Sequence, residues 1–113
     1  MAKRTPLPGR RVRGSTTGRP IMALLDLLGQ RWALRIMWEL RDGTALNFRQ
    51  LQERCNGISP TVQNDRLAEL REAKIIEHMA DEGYRLTAEG RQLARALNPL
   101  NEWADDWAKR LAK

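Results

Sequence analysis

The chain has 113 residues, 42% of them apolar and 30% charged, and a formal net charge of +6 at pH 7. This composition is ordinary for one soluble globular domain with a modest core. No apolar run approaches the ~20 residues that span a membrane, and no secretory signal is apparent. One cysteine and one histidine exclude an intrachain disulfide and a structural zinc site, which needs four nitrogen or sulfur ligands. We therefore predict a cytoplasmic protein without a metal or other cofactor.

The positive charge is concentrated at the N-terminus. Residues 1–19 carry six basic side chains and no acidic one, whereas residues 20–113 carry 14 of each sign. The six are Lys3, Arg4, Arg10, Arg11, Arg13 and Arg19. With little apolar surface to bury, residues 1–19 are predicted to be a disordered basic arm. Arg10, Arg11 and Arg13 are candidates for phosphate or minor-groove contacts, and a solubilising tail is the alternative.

Two helices are predicted next. Pro20 opens the first, over 21–28, and Gly29-Gln30 ends it. The second, over 31–41, has an apolar stripe with a four-residue repeat and further apolar positions beside it. These positions are Trp32, Ile36 and Leu40, widened by Leu34, Met37 and Trp38. Such width predicts a central helix buried on two sides. Thr44-Ala45-Leu46 is a candidate short strand.

Residues 47–73 carry the pattern of a helix-turn-helix. Asn47 is a suitable N-cap for a helix over 47–55, with Gln50 in the capping-box position. Gly57 provides the turn. Ser59 and Pro60 then open a second helix over 59–73, since serine is a favoured N-cap and proline suits the first helical position. Two helices joined by a tight glycine turn predict a recognition helix over 59–73.

The N-terminal end of a recognition helix enters the major groove of DNA. The side chains that we predict to reach the groove from this end are Ser59, Thr61, Gln63, Asn64 and Arg66. Asparagine and glutamine can pair with adenine, and threonine offers a hydroxyl and a methyl group; Thr61 and Asn64 are the preferred candidates. Arg49 and Arg66 are candidates for phosphate contacts. Asp65 is expected to pair with a neighbouring base such as Arg66 or Arg49; the alternatives are that it accepts from cytosine or repels phosphate and so sharpens specificity.

A hairpin follows the recognition helix. Residues 75–79 and 84–86 predict two strands, joined by a turn at 81–83. A hairpin in this place is a wing. Arg85 is a candidate phosphate or minor-groove contact, and a solvated strand charge is the alternative.

The last segment begins at Thr87, a suitable helix cap, and repeats apolar residues at spacings of three and four. Asn98-Pro99 predicts a kink or a new helix start. A stripe at the end of so short a chain has little domain left to cover it, so we predict a dimer interface rather than core. Its residues are Leu93, Leu97, Leu100, Trp103, Trp107 and Leu111.

Together these segments resemble the HxlR-type winged helix-turn-helix transcriptional regulators of bacteria. The segments that carry the resemblance are Leu25–Trp32, Phe48–Leu51, Gly57-Ile58-Ser59, Leu67–Leu70, Tyr84–Gly90, and Leu97 with Leu100 and Trp103. The resemblance implies a mainly α fold with a small β-hairpin wing. It also implies a nucleoid-associated homodimer, built from the first and last helices, that binds a palindromic operator in double-stranded DNA.

The chain departs from the family pattern in four places. Arg19 stands where many members carry a cysteine, the wing is shorter, Gln63 replaces a usually apolar residue, and the basic arm is unusual. The remaining cysteine, Cys55, is interpreted as a small buried hydrophobe, with a redox-sensing thiol as the alternative. A small-molecule effector would find a pocket near Trp32, Met37 and Trp103, although plain packing is the preferred interpretation.

We therefore predict a sequence-specific, homodimeric DNA-binding regulator for residues 20–113, aided by the arm. The first alternative is a winged-helix protein-interaction module, which would show no salt-dependent DNA affinity. The second is an architectural DNA- or RNA-binding protein, which would bind without sequence preference and with a steep salt dependence. We predict no enzyme, because the sequence offers no nucleophile–base pair and no phosphate-binding glycine loop.

Overall fold

The computed structural model describes residues 4–113, and this part of the chain forms five helices and one antiparallel hairpin. The elements are α1 (Pro20–Leu28), α2 (Ala33–Glu39), α3 (Phe48–Cys55), α4 (Pro60–Glu72), β1 (Ile76–Met79), β2 (Gly83–Leu86) and α5 (Ala88–Leu111). The two strands pair from Ile76 opposite Leu86 to Met79 opposite Gly83. This order is the predicted winged helix-turn-helix. Among the described residues, no helix is both long and apolar enough to cross a membrane.

One hydrophobic core joins the helix-turn-helix to the wing. Its most deeply buried apolar side chains come from α2, α3, α4 and β2, with the segment between α2 and α3 adding Leu46. They include Ile36, Leu40, Leu51, Leu67, Leu70 and Leu86. α3 and α4 therefore sit on a continuous apolar base, which fixes the direction in which their outer faces point.

The connection between α1 and α2 is tighter than the sequence predicts. Trp32 adopts a left-handed conformation with φ of 77°, so α2 begins at Ala33 rather than at residue 31. The predicted burial of α2 on two sides is wrong, because Leu34 and Trp38 are about half exposed. Only the inner side of α2, which carries Ile36 and Met37, is buried.

Side-chain caps begin both helices of the helix-turn-helix, as predicted. The Gln50 amide donates to Asn47 Oδ1 at 2.8 Å, and the Asn47 amide donates to Gln50 Oε1 at 2.9 Å. The Val62 amide donates to Ser59 Oγ at 3.2 Å. These bonds satisfy amides that a helix start leaves without partners, so the N-terminal end of α4 is held in a defined position.

The end of α4 is joined to both the wing and α5. Lys74 ends the helix with φ of 64°, and the Ile75 amide donates back to the Leu70 carbonyl at 2.9 Å. The Ile75 carbonyl accepts from the Thr87 amide at 3.0 Å and from Thr87 Oγ1 at 3.1 Å. A Cβ on Gly90 would overlap this same carbonyl oxygen. Only glycine allows α5 to approach the chain so closely there.

The candidate strand at 44–46 is reduced to one bridge beside the wing. Leu46 and Tyr84 exchange backbone hydrogen bonds of 2.9 and 2.7 Å. A Cβ on Gly83 would overlap the Leu46 carbonyl, so glycine is required where the chains meet. The wing is thus attached at its base to the segment that leads into α3.

α5 is a single helix of 24 residues that continues through Pro99. The predicted restart at Asn98 is therefore wrong. Proline removes one helical hydrogen bond, which would otherwise reach the carbonyl of Arg95. Both positions are exposed to water, and the helix tolerates the loss.

Residues 4–19 follow a defined path, where the sequence predicts a disordered arm. The Gly9 amide donates to the Gly18 carbonyl at 2.9 Å, and Val12 pairs with Ser15 in an antiparallel bridge. Pro6 and Gly18 are buried. Composition alone misses this conformation because backbone bonds and distant partners, rather than apolar burial within the segment, hold it. Lys3 lies outside the described residues.

Candidate nucleic-acid interface

The outer face of α4 begins with a short run of exposed polar side chains. Ser59, Thr61, Asn64 and Asp65 are exposed, whereas Leu67 and Leu70 point into the core. Helical spacing places Thr61, Asn64 and Asp65 on one face near the start of α4. This end offers amide, hydroxyl and carboxylate groups within about two turns, which is the chemistry needed to distinguish base edges in a major groove.

Gln63 does not belong to this face, which corrects its inclusion among the base-contacting candidates. Its side chain is completely buried, and Nε2 donates to the Phe48 carbonyl at 2.8 Å. Its Oε1 atom has no hydrogen-bond partner among the described residues. Gln63 therefore joins α4 to the start of α3. Its spacing of four and seven residues from Leu67 and Leu70 already indicated the inward face.

Arg66 also points away from a groove, in contrast to its predicted role. Its Nε donates to the Arg31 carbonyl at 2.9 Å, and it forms an ion pair with Glu69. Its side chain is only 18% exposed. Arg66 instead attaches α4 to the connection between α1 and α2.

Arg49 retains the exposure that a phosphate contact requires. Its side chain is 89% exposed, and its Nε lies 3.5 Å from Glu53 Oε1 one turn later on α3. Such an exposed pair contributes little and is easily exchanged for another anion. Asp65 pairs with neither Arg66 nor Arg49, contrary to the prediction, since those arginines are paired with Glu69 and Glu53.

The wing presents Arg85 next to two acidic side chains. Arg85 Nε donates to Glu77 Oε2 on the neighbouring strand at 2.8 Å, and Glu82 lies 3.9 Å from its guanidinium. The hydrogen bond to Glu77 raises the pKa of Arg85. His78 stacks on Tyr84 with 4.3 Å between ring centroids. Arg85 is thus partly neutralised before any partner binds.

The arm brings three candidate arginines to the flank of α4 and α1. Arg10 lies 3.5 Å from Glu72 in the last turn of α4, and Arg13 lies 3.8 Å from Asp26 of α1. Arg11 is exposed, and no ion pair links it to another described residue. The sequence did not single out Asp26 or Glu72, because both pairs join residues that lie far apart along the chain.

The predicted dimer stripe divides into two parts along α5. Leu93 and Leu97 are partly buried against the protein's own core. From Leu100 onward the apolar side chains are exposed: Leu100, Trp103, Trp107 and Leu111. On α1, Ile21 and Leu25 are also more than half exposed. Trp103 and Trp107 stack with 5.6 Å between ring centroids.

An apolar groove of about 370 Å³ separates α2 from α5. It is lined by Leu34, Met37, Trp38, Leu97, Leu100 and neighbouring residues. Of the three residues predicted to line an effector pocket, only Met37 contributes to it. Trp32 packs against the core instead. Cys55 is buried elsewhere in that core, and burial raises the pKa of its thiol; the hydrophobic interpretation of Cys55 therefore matches its position.

Comparison with known proteins assigns this architecture to a family. The family model for HxlR-like helix-turn-helix proteins matches residues 27–112. The chain belongs to the HxlR-like family. It is therefore a transcriptional regulator with a helix-turn-helix fold, in a family that is not a class of enzymes.

Individual relatives of this HxlR-like protein agree in both sequence and fold. YvaP, an uncharacterized HTH-type transcriptional regulator of Bacillus subtilis (strain 168), is 28% identical over 89 residues, covering 74% of this chain and 82% of YvaP. The crystal structure of quinone-bound YodB from B. subtilis superposes with a TM-score of 0.71 at 31% identity, covering 76% of this chain and 94% of YodB. A regulator of the MarR family from Enterococcus faecalis V583 gives a TM-score of 0.73 at 30% identity, covering 81% of this chain and 88% of that one.

Proposed function

We propose that the protein is a homodimeric regulator that binds a palindromic operator in double-stranded DNA through the N-terminal end of α4. The observation that carries this proposal is the exposed face formed by Ser59, Thr61 and Asn64. The caps at Asn47 and Ser59 fix the N-terminal ends of the two helices of the motif. The exposed face at the start of α4 is therefore held in place before DNA is bound. A rigid face loses little conformational freedom on binding.

Thr61 and Asn64 are the proposed base contacts, and Arg49 is a proposed phosphate contact. Asn64 can pair bidentately with an adenine, and Thr61 can contact a thymine methyl group. Arg49 precedes the turn on α3 and is free to exchange Glu53 for a phosphate. Arg85 has a weaker claim, because Glu77 and Glu82 already neutralise it.

The exposed apolar side chains of α5 and α1 support the proposed dimer. Leu100, Trp103, Trp107 and Leu111 lie on one long helix that extends beyond the core, and Ile21 and Leu25 add to the apolar surface on α1. Aromatic and leucine side chains exposed in this number favour a protein interface. A two-fold dimer would present two copies of α4 to two half-sites, about 34–36 Å apart on one face of the duplex.

The test begins with selection of duplexes from a random pool by the full chain. A two-fold symmetric sequence is expected to emerge. Asn64→Ala should weaken binding by about 5- to 150-fold for each half-site, the equivalent of about 1–3 kcal/mol per contact, and should relax preference at one position of each half-site. Gln92→Ala, an exposed polar change on α5, is the matched control.

The oligomeric state is measured on the same samples by sedimentation. Trp103→Ser combined with Trp107→Ser should shift the protein toward monomer and reduce affinity for the complete palindrome more than for one half-site. Equal binding of the full chain to selected and random duplexes would overturn sequence-specific recognition and favour an architectural role. A monomer at all concentrations would overturn the dimer.

A further inference from the structure

Residues 9–18 close on themselves to form what we term the arginine loop. The Gly9 amide bonds to the Gly18 carbonyl at 2.9 Å, so the two ends of the loop meet. Inside it, the backbone groups of Val12 and Ser15 exchange bonds of 2.9 and 3.1 Å. A surface loop with adjoining ends that is held by its own contacts is a compact Ω-loop. The hydrogen bonds that close it all join groups of the chain itself.

Gly14 and Gly18 of the loop both have a positive φ, and Gly18 makes the closure of the loop sterically specific. Gly18 has φ of 73°, and a Cβ there would overlap backbone atoms of Arg10 across the loop. Gly14 has φ of 84°, and a Cβ there would lie 2.5 Å from Cε of Met22 on α1. Any larger residue at position 18 therefore opposes closure. A flexible arm would impose no such requirement.

The loop is attached to the domain at two points. The Arg13 amide donates to Asp26 Oδ2 on α1 at 3.2 Å, and the Asp26 side chain is only 12% exposed. The Arg10 guanidinium donates to the Thr5 carbonyl at 3.0 Å and lies 3.5 Å from Glu72. These contacts hold the loop between α1 and the C-terminal end of the recognition helix.

The same contacts divide the arginines into two groups. Arg10 is committed to anchoring, because its side chain is only about one-third exposed and it binds both Thr5 and Glu72. Arg13 anchors through its backbone amide, while its side chain is 77% exposed and its Nε lies 3.8 Å from Asp26, an exposed pair that is easily exchanged for another anion. Arg11 is exposed at the neighbouring position. Arg11 and Arg13 are therefore the two charges that the loop offers to a partner.

We propose that the arginine loop is a preformed binding site for the DNA phosphate backbone, in which Arg11 and Arg13 contact phosphates and Arg10 is a positioning residue. This inference rests on the proposed docking of α4. Glu72, beside the loop, lies eight residues after Asn64, or about 12 Å along the helix axis. The major groove is about 12 Å wide. The separation between Asn64 and the loop along α4 is therefore comparable with the width of the groove, which would allow the loop to reach a bordering phosphate strand while Asn64 contacts base edges.

Most of the acidic side chains near the loop already have partners. Glu72 is compensated by Arg10, Glu69 is paired with Arg66, and Asp26 accepts from the backbone of the loop itself. Asp65 faces the cleft between Thr5 and α4 and is a local source of repulsion. It lies seven residues before Glu72, nearer to the N-terminal end of α4.

The decisive experiment compares the effect on DNA binding of removing the loop's positive charges with the effect of preventing its closure. Arg11→Gln combined with Arg13→Gln removes two phosphate contacts and should lower the slope of log K against log salt by about 1.8 per bound protomer. At about 0.1 M salt the affinity loss should be roughly 10- to 100-fold per protomer. Gly18→Ala keeps every charge but opposes loop closure, and it should reduce both affinity and slope in the same direction. Arg95→Gln with Lys113→Gln, two exposed positions on and just after α5, is the control of equal charge.

Each outcome has a distinct meaning. Wild-type affinity in Gly18→Ala, together with a weakened double variant, would overturn the preformed site and leave an unstructured polycation. Wild-type affinity in the double variant would exclude Arg11 and Arg13 as contacts. If the wild-type protein selects no sequence, the proposed function fails, but hydrogen exchange still tests the loop. The amides of Gly9, Val12 and Ser15 should be protected in the wild type and lose protection in Gly18→Ala, and free exchange in the wild type would refute the loop.

Discussion

Replacing Gln63 by methionine should stabilise the protein, although it removes a buried hydrogen bond. Gln63 is completely buried, with one bond of 2.8 Å to the Phe48 carbonyl and no partner for Oε1 among the described residues. A typical bond contributes about 0.5–1.5 kcal/mol, whereas a buried polar atom without a partner costs about 1–3 kcal/mol. The Phe48 carbonyl also has a helical partner in the Gln52 amide, so the change leaves it satisfied. The expected gain is about 1 kcal/mol.

Urea denaturation followed by circular dichroism measures this change in the free energy of unfolding directly. In a separate thermal melt, the melting temperature should rise by about 4 °C. Gln63→Ala should instead lose about 2–3 kcal/mol, because the packing lost in a closed core exceeds the relief at Oε1. Gln92→Met, at an exposed site on α5, should change stability by less than about 0.5 kcal/mol. A loss above about 1.5 kcal/mol in Gln63→Met would refute the reasoning, since it would mean that the amide is fully satisfied where it lies.

Three further predictions concern other sites. Gly90→Ala should destabilise the protein by about 1–3 kcal/mol, because its Cβ would displace α5 from the Ile75 carbonyl. A more stable variant in the same urea assay would show that α5 does not approach this carbonyl closely. Lys74→Gly should raise the free energy of unfolding by about 0.5–1 kcal/mol, since glycine adopts the left-handed conformation at that position without steric cost; no gain would mean that the helix ends differently. Burial raises the pKa of the Cys55 thiol, so only the unfolded thiol ionises as the pH rises through the ordinary range of thiol ionisation. Stability should therefore fall there in the wild type but not in Cys55→Ala, and equal pH profiles would contradict the burial.

Local signals in the sequence predict the helix-turn-helix closely. Asn47 and Ser59 mark helix starts through bonds that span three residues, and Pro60 does so through its fixed φ, so no tertiary information is needed. The same holds for the wing, whose strands are neighbours in the chain. Burial of Gln63 also follows from helical spacing. Because Gln63 is polar and lies in a recognition helix, however, it is predicted to contact DNA bases.

What the sequence does not reveal depends on contacts between distant segments. The arm has too little apolar surface to predict order, yet Asp26 and Glu72 hold it through pairs separated by 13 and 62 residues. Arg66 has the charge expected of a phosphate contact, but its orientation is set by the Arg31 carbonyl, 35 residues away. Such partners become neighbours only after the helices have packed.

The attachment of α4 at several points has a consequence for the spacing of DNA sites. Gln63 binds α3, Arg66 binds the connection after α1, and Ile75 binds the start of α5. The recognition helix therefore has no independent hinge within the domain. In the proposed dimer, one extra base pair between half-sites would displace one site by about 3.4 Å and rotate it by roughly 35°. A protein built in this way cannot follow such a change by turning α4 alone, so the distance between half-sites would be recognised as strictly as the bases within them.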